Sequence, residues 1–476
     1  MRKPFALVSS VLLIACAGRA SAQPADVARP LQPRRATVPT RLDSALVSDI
    51  ATTLLDVARL PALSIAATHQ GRVVYARAFG LRDVDARVPA DSLTQFGAAS
   101  VSKVIAATMP LRVHARGQLP LDVPVRQWLP EFDDPSSGVT VRRLAGHLAG
   151  IPHYGPGSFP GNTRHETARG ALGEFMRAPR VAAPGTKYEY STHGITLLSA
   201  VAEVTTGTPV LELIAREVTV PYDMPNTGPV RRGAPTAMQA RGYQRDSSGA
   251  LVPLRVEREL SFSWAGAGLR STPADLVRLT RAYLDGSIPD SVVSMAFTEQ
   301  RTTAGVGTGV GFVWRVGRDW RERRIVHHAG ASLGARSMVM LFRDDSAAVA
   351  FQTSVEWVAS VEPTAAMLNE ALLHAAPASV TLRVGGRYAG TVDGAAAGGR
   401  WEINGARGWI ETPPELLQRF AKNGVTATRL PVFAIRRGLY ALVTPWGLHP
   451  LQLDRTNGRI TGRVEVASVK WELRGE

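Results

Sequence analysis

Strand-like runs stand at the two ends of a long stretch of this sequence and almost nowhere between. Residues 62–68 and 73–79 are β-prone and meet at Gln70-Gly71, a pair suited to a tight hairpin turn. The next such runs come only at 311–316, 325–328, 338–342 and 347–353. A lone hairpin is marginal in water, so the early pair must recruit the late runs into one sheet. The chain between them has to leave that sheet and return. It reads as loops and helices, with helical spacing at 42–60, 100–117, 195–206, 209–217, 273–283 and 363–374. The expectation is a sheet layer built from distant segments, a mostly helical insert, and a cleft between the two.

The flanks differ in composition. Arg2 and Lys3 precede an apolar run from Phe5 to Ala15, and Ala20-Ser21-Ala22 has the small residues of a leader cleavage site, so residues 1–22 are expected to be a signal peptide. Leu13-Ile14-Ala15-Cys16 also fits a lipoprotein cleavage site, which would anchor the chain to a membrane through Cys16. Residues 23–41 are rich in proline and arginine and read as a linker to a body over 42–375. Beyond it, over 376–476, glycine-rich turns such as Gly385-Gly386, Gly398-Gly399 and Gly458 separate alternating runs, the pattern of a small antiparallel β domain. With no titratable cluster there, a structural or gating role is expected.

Cys16 is the single cysteine. Disulfides, thiolate metal sites and cysteine nucleophiles are therefore excluded from the mature body, and a hydroxyl becomes the expected nucleophile. The formal charge of +15 raises the question of nucleic acid, but the arginines are spread evenly and no basic run is interleaved with aromatics. No nucleic-acid partner, cofactor or metal is expected, since no His/Asp/Glu group shows ligand spacing.

Within this arginine-rich chain, Lys103 is one of only five lysines and follows Ser100 at the spacing Ser-x-x-Lys. Arginine keeps its proton in ordinary sites, whereas a desolvated lysine can lose it and serve as a base. Residues three apart on a helix share a face, so Lys103 can reach the Ser100 hydroxyl. Pro110 is expected to bend or break this helix further on, beyond the Ser100–Lys103 turn. Two more pieces follow in order: Tyr190-Ser191-Thr192 after Pro184-Gly185-Thr186, and His328-Ala329-Gly330 on a strand-like run.

These three ordered motifs resemble those of the penicillin-recognising serine hydrolases, which include class C β-lactamases, D-alanyl-D-alanine peptidases and related esterases. Phe96-Gly97-Ala98-Ala99, Gly117 to Asp122, Thr140 to Leu144, His147 to Ile151 and Gly266 to Thr272 agree with the likeness, and Tyr-Ser-Thr with His-Ala-Gly-Ala is similar to the mitochondrial serine-β-lactamase-like branch. The resemblance implies an α+β, β-lactamase/transpeptidase-like fold, with an antiparallel sheet flanked by helices and a mostly helical subdomain. It implies a small-molecule or peptide substrate and an acyl-enzyme on Ser100. Lys103 would take the serine proton, Tyr190 would relay it to the leaving group, and His328 would line the far wall. The backbone NH groups of Ser100 and Ala331 would face the oxyanion, and Thr192 and Gly330 would adjoin substrate.

Each residue also has a plainer reading. Ser100 and Thr192 can be helix caps, Tyr190 a packed aromatic, and His147 and His153 residues that hold loops together. His327 and His328 are neighbours on a strand, so at most one of them faces the cleft. Gly330-Ala331-Ser332-Leu333-Gly334 matches a different nucleophile motif, which requires strand, turn and helix around Ser332 and a later acid and histidine such as Asp344, Asp345 and His374. Thr192 and His328 stand where the family usually has asparagine and often lysine. Those departures weaken the case for penicillins or cell-wall peptides and leave a non-catalytic envelope-binding or scaffold protein as the alternative function.

Overall fold

The computed structural model describes residues 42–132, 138–154, 162–255, 258–376, 383–392, 395–422, 424–456, 459–466 and 469–475. The leader and linker expected over 1–41, with Cys16, lie outside the described residues, as does Gly458.

Helix α1 (Ser44–Ala58) starts where the Asp43 side chain accepts the Leu46 NH at 2.9 Å, and buries Val47, Ile50, Ala51 and Leu54 along one face. The hairpin follows as β1 (Ala62–His69) and β2 (Arg72–Asp83). Gln70 and Gly71 both take positive φ, 51° and 74°, the turn geometry that matches the twist of paired strands. After β3 (Val88–Pro89) comes α2 (Ser102–Ala115), then α3 (Thr192–Thr206) and α4 (Pro273–Leu279). Pro110 does not end α2. Every residue from Ser102 to Leu111 is buried, so packing outweighs the one missing backbone bond.

The chain then returns as β4 (Arg315–Arg318), β5 (Arg324–Ser332), β6 (Ala335–Phe342) and β7 (Ala347–Thr353), and closes with α5 (Val361–Leu373). The early hairpin is joined to these late strands in the order β3-β2-β1-β7-β6-β5-β4, antiparallel throughout. β1 lies inside the sheet and is buried at all eight positions. Its alternate side chains serve two cores: Ala66 packs with α2, α3 and α4, while Leu63, Ile65 and Ala67 pack with α1 and α5. The strand expected from residue 311 begins only at 315. Val313 is left-handed (φ 70°) and its NH bonds the Ala145 carbonyl at 2.9 Å, so this segment is pinned to the helical side instead of pairing in the sheet.

The C-terminal strands, from Arg383–Val392 to Val469–Gly475, pair in chain order, and the first pairs with the last to close an eight-stranded barrel. Its interior is filled by Tyr388, Trp401, Ile403, Leu430 and Leu451, with Leu416 and Phe420 of the helix Pro414–Lys422 inserted among them. The outer wall is equally apolar on one side. Phe433, Ile435, Leu439, Val443 and Leu448 join the core beneath α1 and α5, so the barrel shares a core with the body it follows. A buried charge cluster joins them too: Glu370 of α5 lies 2.7 Å from both Arg321 and Arg323 and 3.6 Å from Arg436 of the barrel.

Candidate active site

The turn that carries Ser100 is fixed before the helix begins. The Ala98 NH bonds the Leu269 carbonyl at 2.8 Å, the Ser337 hydroxyl donates to the Ala98 carbonyl at 2.6 Å, and Ser102 Oγ accepts the Leu269 NH at 3.1 Å. Between these anchors Ala99 is held left-handed at φ 46°, a conformation that costs a non-glycine residue on the order of 1–3 kcal/mol and persists only where neighbours impose it. Ser100 lies in a 3-10 turn over Ala99–Val101 and remains partly exposed, while Ala99 and Val101 are buried.

One turn on, the Lys103 side chain is fully buried, with Nζ 3.1 Å from Ser100 Oγ and 2.7 Å from the Gly266 carbonyl. Among the described residues it makes no ion pair. Burial pushes its amine down from 10.5 to about 7; Tyr154 offsets part of that and Arg315 adds to it. The amine is therefore poised to be neutral at physiological pH.

Tyr190 lies directly before the N-cap of α3. That cap is Ser191, whose Oγ accepts the Gly194 NH at 2.8 Å and donates to the Pro152 carbonyl at 2.9 Å. The Lys103 amine sits 4.8 Å from the centre of the Tyr190 ring. Burial pushes Tyr190 up to about 12, against smaller lowering by Ser100 and Arg315, so it stays protonated near neutrality. Thr192 is the first residue of α3 and wholly buried; its Oγ1 has no hydrogen-bond partner among the described residues and its methyl packs toward Gly266.

The third motif forms the facing wall. The His328 ring lies 6.5 Å from that of Tyr190, and its Nδ1 is 2.8 Å from the Ala329 carbonyl. Burial, then Lys103 and Arg315, hold its pKa well below the usual histidine range, so it is a neutral wall. His327 points to the other face, toward Glu362 of α5 at 3.9 Å. The space beside Gly330 belongs to protein and not to substrate: a Cβ there would stand 2.3 Å from Ser337 Oγ, 2.5 Å from the Ala98 carbonyl oxygen and 3.0 Å from the Ser100 nitrogen. Glycine is needed so that β5 can press against the nucleophile turn. That contact corrects the expectation that Gly330 adjoins substrate. Ala331 follows it and is exposed.

Ser100, Lys103, Tyr190 and His328 are thus brought together. Ser332 does not form a second site. β5 runs through it and β6 follows after a short turn, so no helix begins there, while Asp344 and Asp345 pair with Arg324 and Arg323. Sequence reasoning missed Arg315, and gave His147 and His153 a loop-holding role without their place beside Tyr190. Arg315 lies on β4 opposite His327 and its charge acts on Lys103, Tyr190 and His328. The two histidines flank Tyr190 from a loop some forty residues earlier, beyond the reach of any local pattern. Among the described residues no three His, Cys, Asp or Glu side chains group to hold a metal.

The family model described as Beta-lactamase matches residues 47–371, more than half of the chain and all of the convergent site. The chain belongs to the Beta-lactamase family. It is a serine hydrolase of that family. It is 31% identical over 309 residues to esterase EstB of Burkholderia gladioli, covering 56% of this chain and 78% of the relative. It is 24% identical over 307 residues to the mitochondrial serine beta-lactamase-like protein of Homo sapiens, covering 50% of this chain and 56% of that one. The octameric penicillin-binding protein homologue from Pyrococcus abyssi has the same fold, with a TM-score of 0.58 at 21% identity, covering 91% of this chain and 100% of that one.

Proposed function

We propose that this member of the family cleaves an ester or amide of a small molecule or peptide through an acyl-enzyme on Ser100. The observation that carries the reading is Lys103: a fully buried amine without a carboxylate partner among the described residues, brought down to about 7 and placed 3.1 Å from the Ser100 hydroxyl. A binding protein has no use for so costly a group. The neutral amine takes the serine proton as Oγ attacks the carbonyl carbon, and the Ser100 and Ala331 NH groups receive the developing oxyanion. Tyr190, protonated at neutral pH, gives its proton to the leaving group as Lys103 passes the serine proton on to it; in deacylation Tyr190 activates the water, whose proton returns through Tyr190 and Lys103 to Ser100 Oγ. Thr192 shapes the floor behind Lys103.

Esters are the favoured class. The likeness to a relative named as an esterase supports this, as does the absence at position 192 of an asparagine amide to hold a substrate amide. With purified protein, p-nitrophenyl esters, nitrocefin and D-Ala-D-Ala peptides form the discriminating panel. Turnover of the esters, lost in Ser100→Ala, is expected; turnover of none of the panel by wild type, or undiminished turnover by Ser100→Ala, contradicts the reading.

The N-terminal sequence supports export. Intact mass of protein recovered from producing cells is expected to correspond to a chain beginning at Gln23; a lipid-bearing Cys16 would show the anchored alternative, and an intact leader would refute export.

A further inference from the structure

One residue holds the chain on both sides of Tyr190. The His147 carbonyl accepts the Glu189 NH at 2.8 Å, and its Nδ1 accepts the Ser191 NH at 3.2 Å. Between those bonds the imidazole lies against the phenol, ring centroids 4.6 Å apart. His153 continues the grip: its Nδ1 accepts the Thr192 NH at 3.3 Å and its ring meets Tyr190 edge-on at 5.5 Å. The NH groups of Ser191 and Thr192 open α3 and have no acceptor within the helix. Two imidazoles supply it.

An imidazole that accepts at Nδ1 is neutral and carries its proton on Nε2. In His147 that Nε2 is buried with no hydrogen-bond partner among the described residues, the residue is 2% exposed, and its backbone is left-handed at φ 56°. A packing residue needs neither an unpartnered buried donor nor a conformation rare outside glycine. Both are consequences of the double grip. Its surroundings are also cationic or neutral: Lys103, Arg315 and His153 all disfavour a charge on His147, in line with burial.

We propose that His147, seconded by His153, is the positioning residue for Tyr190 and fixes the phenol where its proton reaches the leaving group. This rests on the reading of Tyr190 as general acid. The consequence is specific to chemistry. A p-nitrophenolate is a weak base and departs unaided, whereas an alkoxide needs a proton as the C–O bond breaks. A misplaced phenol therefore hurts alkyl esters and spares p-nitrophenyl esters, which a general loosening of structure would not do.

The test compares p-nitrophenyl butyrate with ethyl butyrate through kcat/KM, which reports acylation, with rates expressed per active site titrated by a fluorophosphonate so that unfolded protein does not count. His147→Ala is expected to lose about 100-fold on the ethyl ester, the scale of a misplacement of about 1 Å, and less than about 5-fold on the p-nitrophenyl ester. His147→Asn, whose Oδ1 can accept the Ser191 NH and which tolerates a left-handed backbone, should recover most of the loss. Equal losses on the two esters in both variants, or no loss in His147→Ala, overturn the proposal. Tyr190→Phe measured alongside separates the two readings: if it lacks the leaving-group signature, the acid assignment itself fails; if it shows the signature and His147→Ala does not, only the positioning role fails.

Discussion

Replacing Lys103 with methionine is expected to lower kcat/KM on an ester by about 10³–10⁴-fold while leaving the protein folded, because general-base assistance is worth up to roughly that factor. The shape of the side chain is nearly kept and only the proton acceptor is removed. Arginine would not substitute, since it cannot become neutral. Stability should not fall. In the folded chain the amine has its pKa lowered from 10.5 to about 7, so between those values the unfolded chain binds a proton that the folded chain lacks. Stability from this group therefore rises with pH across that window, and the burial penalty is felt in full only below about 7. Methionine removes the penalty, so a thermal midpoint at pH 7 at or above that of wild type is expected. Retained activity in Lys103→Met, with the fold intact, would contradict the base assignment.

The second large effect concerns stability. Glu370 is fully buried, and Arg321, Arg323 and Arg436 converge on it from the approach to β5 and from the barrel. Glu370→Gln keeps the shape but removes the counter-charge that Arg321 and Arg436 share, while Arg323 keeps Asp319 and Asp345. Breaking a buried pair typically costs about 3–5 kcal/mol, and the partial exposure of Arg321 and Arg436, 34% each, argues for the lower end, about 3 kcal/mol. A fall of roughly 3–4 °C in the unfolding midpoint is expected by calorimetry, because the body and barrel share one core and unfold as a large unit. Activity per folded molecule should hold within a few-fold, because α5 covers the face of the sheet opposite α2 and Lys103. A midpoint within about 1 °C of wild type would show that the cluster does not bind the barrel to the body.

Much of this was legible in the residues because local chemistry dictated it. Gln70-Gly71 announced the hairpin through its turn preference, and the Ser100–Lys103 spacing announced a shared helical face. The misreadings have long-range causes. The segment 311–314 has strand-like residues but is claimed by a bond to Ala145, and Pro110 sits in a helix so well packed that one lost backbone bond does not end it. Closure of the barrel depends on the strand Arg383–Val392 meeting the strand Val469–Gly475, a pairing with no signature in either alone, and the helix Pro414–Lys422 was not anticipated. Gly330 read as room for substrate, whereas only the fold shows that the nucleophile turn fills that room. His147 grips Tyr190 from a distant loop, which no spacing rule could have found.

The central claim is that Ser100 is activated by a neutral Lys103. The most direct measurement is the rate at which a fluorophosphonate labels the protein from pH 5.5 to 8.5, with the modified residue identified by peptide mass spectrometry. Label on Ser100, at a rate that rises with pH through a midpoint near the amine's value of about 7 and then levels, is the predicted result. Label on another residue, or a Ser100 rate that does not change across that range, would contradict it.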